Sequence, residues 1–568
     1  MKGYQTRIRI LTIPFVLIAC IVAAKLYFLQ VVDGSTYARK ASSQAVSPQA
    51  GIFDRGNIYF TDKKGETIAA ATLGRGYTLA IKPKDIENRE ALYASLANIL
   101  PIDTDMFFAR AGKKGDPYEE IATHLTEEQA KAIRALKSPA VVLEDEQWRY
   151  YPAGSLAAQT VGFVAYDNDA NLKGRYGLER YYDDVLSRDG ESVYVNFFAE
   201  IFSAAREVFG AQEETRGDVI TTIDPTVALA LERELKNVSE TWHTKKTGGI
   251  IMDPQTGEIY AMAVYPSFDL NSFASVSPDS FANPLVERVY EMGSIVKPLT
   301  VAAGLDSGAV TASTLYTDTG FLKVDGATIR NFDGVARGRV PVQEVLNQSL
   351  NVGSAFIADT MGNEAFTRYM KAYGLGEETG IDLPGEVSGL ISNLDSPRKV
   401  EHFTAAFGQG IALTPIETVR ALASLGNGGF LVTPHVVKSI RHETGVVRVL
   451  SQPEKVRILK EETSREISRM LTEVVDTALV EGAISLPHTS VAAKTGTAQI
   501  ANPAGGGYYD DRYLHSFFGY FPSYNPRFII FLFALEPQGV KYASQTLTDP
   551  FHRLTKFLIT YYEVPPDR

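Results

Sequence analysis

The hydrophobic pattern of the chain changes character along its length, and the first change comes early. From Ile10 to Val32, "ILTIPFVLIACIVAAKLYFLQVV" is apolar apart from Thr12, Lys25 and Gln30. As a helix, residues 10–32 would reach roughly 35 Å, enough to cross the ~30 Å hydrocarbon layer of a bilayer. Lys2, Arg7 and Arg9 precede the run, so the positive-inside rule keeps residues 1–9 in the cytoplasm and sends everything beyond Val32 to the far side. Lys25 can snorkel toward the outer headgroups. A cleaved signal peptide and a lipoprotein signal at "LIAC" are the competing readings. Against lipidation, Ile21 to Ala24 continue the apolar run where polar residues normally follow a modified Cys20.

Beyond the run the pattern turns mixed. Polar and small residues after Val32 read as a stalk, and residues 33–218 as stalk plus a non-catalytic α+β pedestal. Within it, "YTLAIKP" from Tyr77 and "AVVLEDEQWRYYP" from Ala140 are strand-like. "LTEEQAKAIRAL", from Leu125 to Leu136, has a helical period with Thr126 as its cap and Glu128 beside it. A short β run near Asp218 then leads into a helix predicted to start at Asp224 as N-cap with Pro225 in its first position. "GGIIMD" and "IYAMAVYP" are β-type runs joined by the turn Pro254-Gln255-Thr256-Gly257, a hairpin. From Tyr290 to about Tyr562 helical and strand-like segments alternate without a Pro/Ser-rich linker, so residues 219–568 read as one catalytic-sized domain.

Composition narrows the function. With 56 Lys+Arg against 67 Asp+Glu the net charge is −11, which argues against a general nucleic-acid binder, since such a protein needs a basic surface to displace counterions. One cysteine, Cys20, excludes a disulfide within a chain and any cysteine-based metal site. Eight histidines show no HExxH or other helical ligand spacing, so the sequence offers no metal site and calls for no cofactor.

Three short patterns carry chemistry. In "MGSIVKPLTVAAGL", Ser294 and Lys297 stand three apart in a helix-favouring segment, which puts hydroxyl and amine on one face. Pro298 forfeits the helical bond to the carbonyl of Ser294, so the serine belongs in the first turn, where free N–H groups and the dipole surround it. "LNQSLNVGSAF" supplies Ser349 and Asn351 at a helix start. "AAKTGTAQI" supplies Lys494, Thr495, Gly496 and Thr497 on a strand, whose alternation would send the two threonines to one face and Lys494 to the other. Each pattern also has a decoy. Roughly one or two S-x-x-K matches arise by chance in so long a chain, and Ser396 to Lys399 is one, in a loop-like setting with Pro397. Ser523-Tyr524-Asn525 precedes Pro526 and reads as a turn; Lys246-Thr247-Gly248 reads as the entry to the first hairpin strand.

The order S-x-x-K, S-x-N, K-T-G, at intervals of 55 and 145 residues, is the motif set of penicillin-binding proteins and class A β-lactamases. Most of the chain resembles the class B penicillin-binding proteins, monofunctional peptidoglycan D,D-transpeptidases. Arg55-Gly56 with Asp62 to Gly65, "RYYPAGSLAAQTVGFV", "GRYGLERYYDDVL", "TTIDPTVALALE" and "DPQTGEIYAMAVYPSFDLN" are similar to that family's pedestal and linking segments. "GIDLPGEVSGLI" and "HSFFGYFPSYNPRF" resemble its division-type, FtsI-like branch more than its elongation branch. Met292 stands where the family usually has proline, and Leu350 where relatives often have Ser or Cys.

The resemblance implies an α/β transpeptidase domain of the penicillin-binding/β-lactamase-like fold: a central antiparallel sheet with helices on both faces. It makes the strand carrying Lys494 an edge strand lining the cleft. It implies Ser294 as nucleophile, Lys297 as its base, and Lys494 as the cation that helps lower the base's pKa; bringing a lysine from ~10.4 to ~7 takes about 4 to 5 kcal/mol. The N–H groups of Ser294 and Thr497 would hold the oxyanion. Ser349 would relay a proton, Asn351 would orient the donor amide, and Lys494 and Thr495 would hold its carboxylate. The implied substrates are D-Ala-D-Ala-ended stem peptides, with a neighbouring stem amine as acceptor and β-lactams as inhibitors. The implied partner is a SEDS-family, FtsW-like lipid II polymerase with other division proteins, and the implied location is the bacterial cytoplasmic membrane. The rivals are a serine β-lactamase or D,D-carboxypeptidase, which would need a glutamate in an "ExxLN"-like loop, and a catalytically silent division scaffold. Glu377, Glu378 and Glu386 occupy the relevant interval without that pattern.

Overall fold

The computed structural model describes residues 54–113, 115–167, 172–188, 216–502 and 505–568. The apolar run 10–32 lies outside them; among the described residues no helix is long and apolar enough to cross a membrane. The chain forms two compact units that interleave in sequence. Described residues 75–113 and 115–148 make the smaller one, whereas 55–74, the described part of 149–188, and the chain from 216 onward make the larger. Two early segments thus pack with the late ones.

In the smaller unit, Leu79, Ile81, Leu96, Phe107 and Ile133 form the core. Strand residues Tyr77 and Leu79 pair antiparallel with Leu125 and Ala122. The helix Glu127–Ala135 starts in a capping box: Thr126 Oγ1 accepts from Gln129 N while Gln129 Oε1 accepts from Thr126 N at 2.9 Å. Thr126 is the cap, and Gln129, three residues on, is its reciprocal partner.

The larger unit is built on five antiparallel strands: β1 (Lys246–Met252), β2 (Ile259–Tyr265), β3 (Ala492–Ala501), β4 (Tyr508–Phe521) and β5 (Phe528–Leu535), in spatial order β3-β4-β5-β1-β2. Strand β3 is thus an edge. Helix α1 (Pro225–Trp242) begins at Asp224, whose Oδ1 accepts from Thr226 N and Val227 N, with Pro225 first. Four further helices concern the site: α2 (Lys297–Asp306), α3 (Asn351–Met361), α4 (Glu461–Glu473) and α5 (Thr548–Tyr561). Strand β4 shows how they are arranged. Phe517 stacks on Phe551 of α5 at 4.5 Å, whereas Tyr520 Oη meets Ser468 Oγ of α4 at 2.8 Å. Odd and even strand residues face opposite ways, so helices cover both faces, and the buried aromatic and branched residues of β4 and β5 are the core between them.

The early segments are fixed to this unit by strand pairing and by buried charge. Ile58 pairs in parallel with Val219, whose strand pairs on its other side with residues 437–442. Glu179, fully buried, accepts from Arg55 Nε and Arg149 Nε, each at 2.6 Å, and from Tyr151 Oη at 3.3 Å.

Candidate active site

A cleft of about 780 Å³ opens beside β3, and Ser294, Ser349, Asn351, Lys494, Thr495 and Thr497 all line it. Ser294 lies in a short 3-10 turn, Gly293–Val296, and α2 follows with Lys297 and Pro298 in its first turn. The proline thus marks where the helix begins, and the serine sits one turn ahead of it. Gly293 takes φ of 64°, and a Cβ there would lie 3.0 Å from the Thr497 carbonyl oxygen. Only glycine lets the nucleophile's turn approach β3 this closely.

Lys297 is wholly buried behind Ser294. Its Nζ lies 3.0 Å from Ser294 Oγ, 3.0 Å from Ser349 Oγ and 2.6 Å from the Ser349 carbonyl oxygen. Burial, and secondarily the charge of Lys494, hold this amine well below the ordinary lysine pKa. Ser349 occupies the turn between the helix Gln343–Asn347 and α3 with φ of 55°, a left-handed conformation that costs a side-chain-bearing residue of order 1–2 kcal/mol. That conformation aims both its carbonyl and its hydroxyl at one amine. Asn351 opens α3, and its Nδ2 donates to the Arg330 carbonyl at 2.8 Å.

Strand β3 brings the third pattern. Lys494 Nζ lies 3.1 Å from Ser349 Oγ and 3.2 Å from the Thr495 carbonyl, and burial pushes it down to about 8. Strict alternation would have sent this side chain away from the threonines. Because β3 is an edge, no neighbouring strand blocks the lysine, which curls over the rim and reaches the cleft that Thr495 and Thr497 also line. Gly496 does not line the cleft. It packs against the nucleophile's turn, where a Cβ would stand 2.7 Å from the Met292 carbonyl and 2.3 Å from Ser516 Oγ. Ser516 Oγ itself donates to that carbonyl at 2.8 Å.

The decoys are elsewhere and otherwise engaged. Ser396 Oγ accepts from Arg398 N, and Lys399 pairs with Asp359. Ser523 is buried and accepts from Thr472 Oγ1. Thr247, at the start of β1, donates to the Leu235 carbonyl.

Other residues at the site gave no signal in the sequence. Buried Asn331 accepts from Val352 N of α3 and donates to both oxygens of buried Asp318, and Arg337 Nε donates to Gln348, next to Ser349. His515, on β4 opposite Thr497 of β3, is buried with its pKa pushed down to about 4. Its Nε2 donates to the Lys541 carbonyl at 2.9 Å and its Nδ1 meets Thr546 Oγ1. These contacts join residues 11 to 31 apart in sequence, beyond the reach of a local pattern.

Chemically the arrangement offers a serine hydroxyl beside a buried amine of lowered pKa, a second hydroxyl bridging that amine to another lysine, and an open strand edge. Among the described residues, no Asp or Glu side chain lines the cleft.

Comparison with known proteins agrees with this chemistry. Residues 247–555 match the model of the penicillin binding protein transpeptidase domain, and residues 53–221 that of the penicillin-binding protein dimerisation domain. Stage V sporulation protein D of Bacillus subtilis is 32% identical over 517 residues, covering 87% of this chain and 77% of that protein. The peptidoglycan D,D-transpeptidase FtsI of Escherichia coli is 26% identical, covering 95% and 89%. Penicillin-binding protein 3 of Mycobacterium tuberculosis, solved with aztreonam, superposes with a TM-score of 0.65 at 26% identity, over 75% of this chain and 92% of that one. A match across more than half of the chain, with the three motifs gathered in one cleft, settles the kinship: the chain belongs to the penicillin-binding protein transpeptidase family.

Proposed function

We propose that this protein is a peptidoglycan D,D-transpeptidase that cross-links stem peptides through an acyl-enzyme on Ser294. The observation that carries the reading is the position of Lys297 Nζ between Ser294 Oγ and Ser349 Oγ, 3.0 Å from each. A neutral amine has two N–H groups and one lone pair. The Ser349 carbonyl takes one N–H and Ser349 Oγ the other, which leaves the lone pair for the Ser294 proton. Ser294 Oγ then attacks the carbonyl carbon of the penultimate D-Ala, its proton passing to Lys297. The oxyanion is held by the N–H groups of Ser294 and Thr497. Terminal D-Ala leaves as an amine, protonated through Ser349, whose hydroxyl touches both lysines. A stem amine of a second strand attacks the ester, gives up a proton by the same route and restores Ser294.

In this reading Lys494 and Thr495 hold the donor's carboxylate, Asn351 orients its amide, and Gly496 lets β3 lie against the nucleophile. Residues 33–218 serve as stalk and pedestal, residues 219–568 carry the reaction, and residues 10–32 anchor the chain in the cytoplasmic membrane with its bulk outside. The FtsI-like segments favour septal synthesis, alongside an FtsW-like polymerase. A hydrolase needs a base to activate water at the acyl-enzyme, and the lack of any carboxylate among the described cleft residues weighs against a β-lactamase.

The test is covalent labelling by fluorescent penicillin with mass mapping of the adduct. Ser294→Ala should abolish it. Lys297→Arg should slow acylation by roughly 10²–10⁴-fold, because a guanidinium stays protonated. Ser396→Ala should label normally. A stable penicilloyl adduct on Ser294→Ala would refute the assignment.

A further inference from the structure

The chain carries a net charge of −11, yet among the described residues every charged side chain lining the cleft is cationic: Arg330, Lys494 and Lys541. The carboxylates bonded to lining residues do not themselves line it: Glu291 accepts from Tyr508 Oη, Asp318 from Asn331, and Glu344 from Asn347 and Gln348. One terminal carboxylate needs one cation, and Lys494 supplies it. Two cations remain, and neither Arg330 nor Lys541 forms an ion pair with any described residue.

Lys541 is held in a defined place. Its carbonyl accepts from buried His515 Nε2 at 2.9 Å, and Ala543 N donates to Thr497 Oγ1 at 3.0 Å, so the segment lies beside β3 past Thr497. Between them, Tyr542 meets Phe332 edge-on at 5.8 Å, with Phe332 coming from the wall that carries Arg330. The strand edge acts as a ruler. With the terminal carboxylate at Lys494 and Thr495, and the reacting carbonyl at Ser294 and Thr497, an extended donor runs on toward Gln499 and Lys541. The residues upstream of its D-Ala pair therefore meet a positive charge in a groove walled by low-dielectric rings, which strengthens the field there.

We infer that Lys541, with Arg330 opposite, selects donors bearing a second carboxylate upstream of the terminal one, an acidic peptide stem rather than a neutral or basic one. This rests on the transpeptidase reading and narrows its substrate class. Its test uses two penicillins with the same nucleus, benzylpenicillin and its α-carboxy derivative, which differ by one side-chain carboxylate. Acylation rates of the full-length protein are measured for both. In Lys541→Gln the ratio of carboxylated to plain rate should fall by about five-fold, the upper range for one partly exposed charge pair, and Lys541→Arg should restore it. Added salt should shrink the wild-type ratio toward that of Lys541→Gln. A ratio unchanged in Lys541→Gln overturns the inference while leaving the transpeptidase reading intact. If the wild type forms an adduct with neither penicillin, that reading falls and the inference with it.

Discussion

Lys297 and Lys494 set opposite limits on the pH at which the site can act. Lys297 must be a free amine, and its pKa is held well below the ordinary value by burial and by the neighbouring cation, so it gives up its proton at lower pH than an ordinary lysine. Lys494 must keep its proton to hold a carboxylate, and burial brings it down to about 8. Acylation should therefore fall above about pH 8, approaching tenfold per unit where one proton is lost. Both limbs belong to the pair, because discharging Lys494 removes one cause of the shift at Lys297. A pH series of benzylpenicillin acylation checks this. Lys494→Arg should move the alkaline limb upward whatever it does to the absolute rate, since the guanidinium does not titrate there; an unmoved limb would assign the descent to another group.

At the scale of elements, the site depends on how closely β3 lies on the turn of the nucleophile. Gly496→Ala adds a Cβ 2.7 Å from the Met292 carbonyl, a backbone atom that cannot rotate away, so strand and turn must separate. Penicillin labelling should drop at least 10²-fold, since a shift of about 1 Å in a reacting group is enough for that. Removing the softer obstacle in the double variant Gly496→Ala/Ser516→Ala should not restore it; recovery would show that the clash lies with the serine hydroxyl alone. This dependence was only half visible in the sequence. Ser294, expected in the first turn of a helix, lies in the 3-10 turn just ahead of one, whereas the helix start at Asp224-Pro225 and the hairpin around Pro254 to Gly257 were legible because each is fixed by residues next to one another. The reach of Lys494 over the rim was not, because alternation gives the face of a side chain and not whether a neighbouring strand lies beside it. Nor was the left-handed Ser349, or the support of α3 by Asn331 and Asp318, since both are decided by partners remote in sequence.

For the whole molecule, the two kinds of ion pair should weigh very differently. Glu179→Gln leaves Arg149 buried without a counter-charge and Arg55 with Asp183 alone, which costs on the order of 3–5 kcal/mol, and the thermal unfolding midpoint should fall by several degrees. Asp359→Asn, which breaks the exposed pair with Lys399, should leave the midpoint nearly where it was. Equal shifts would mean that the buried cluster adds nothing to the larger unit. That cluster belongs to the early segments that pack with the late ones, and the arrangement has a consequence in time. The strand at Ile58 pairs on one edge with residues 67–71, close in sequence, but its other edge finds its partner only when Val219 is made, and that partner is itself flanked by residues 437–442. At roughly 5–20 residues per second, ribosomes need on the order of tens of seconds to make the chain between those points. For that interval one edge of the strand waits open, so the birth of this protein has a window in which a chaperone, or another nascent copy, competes for an edge that the finished fold conceals.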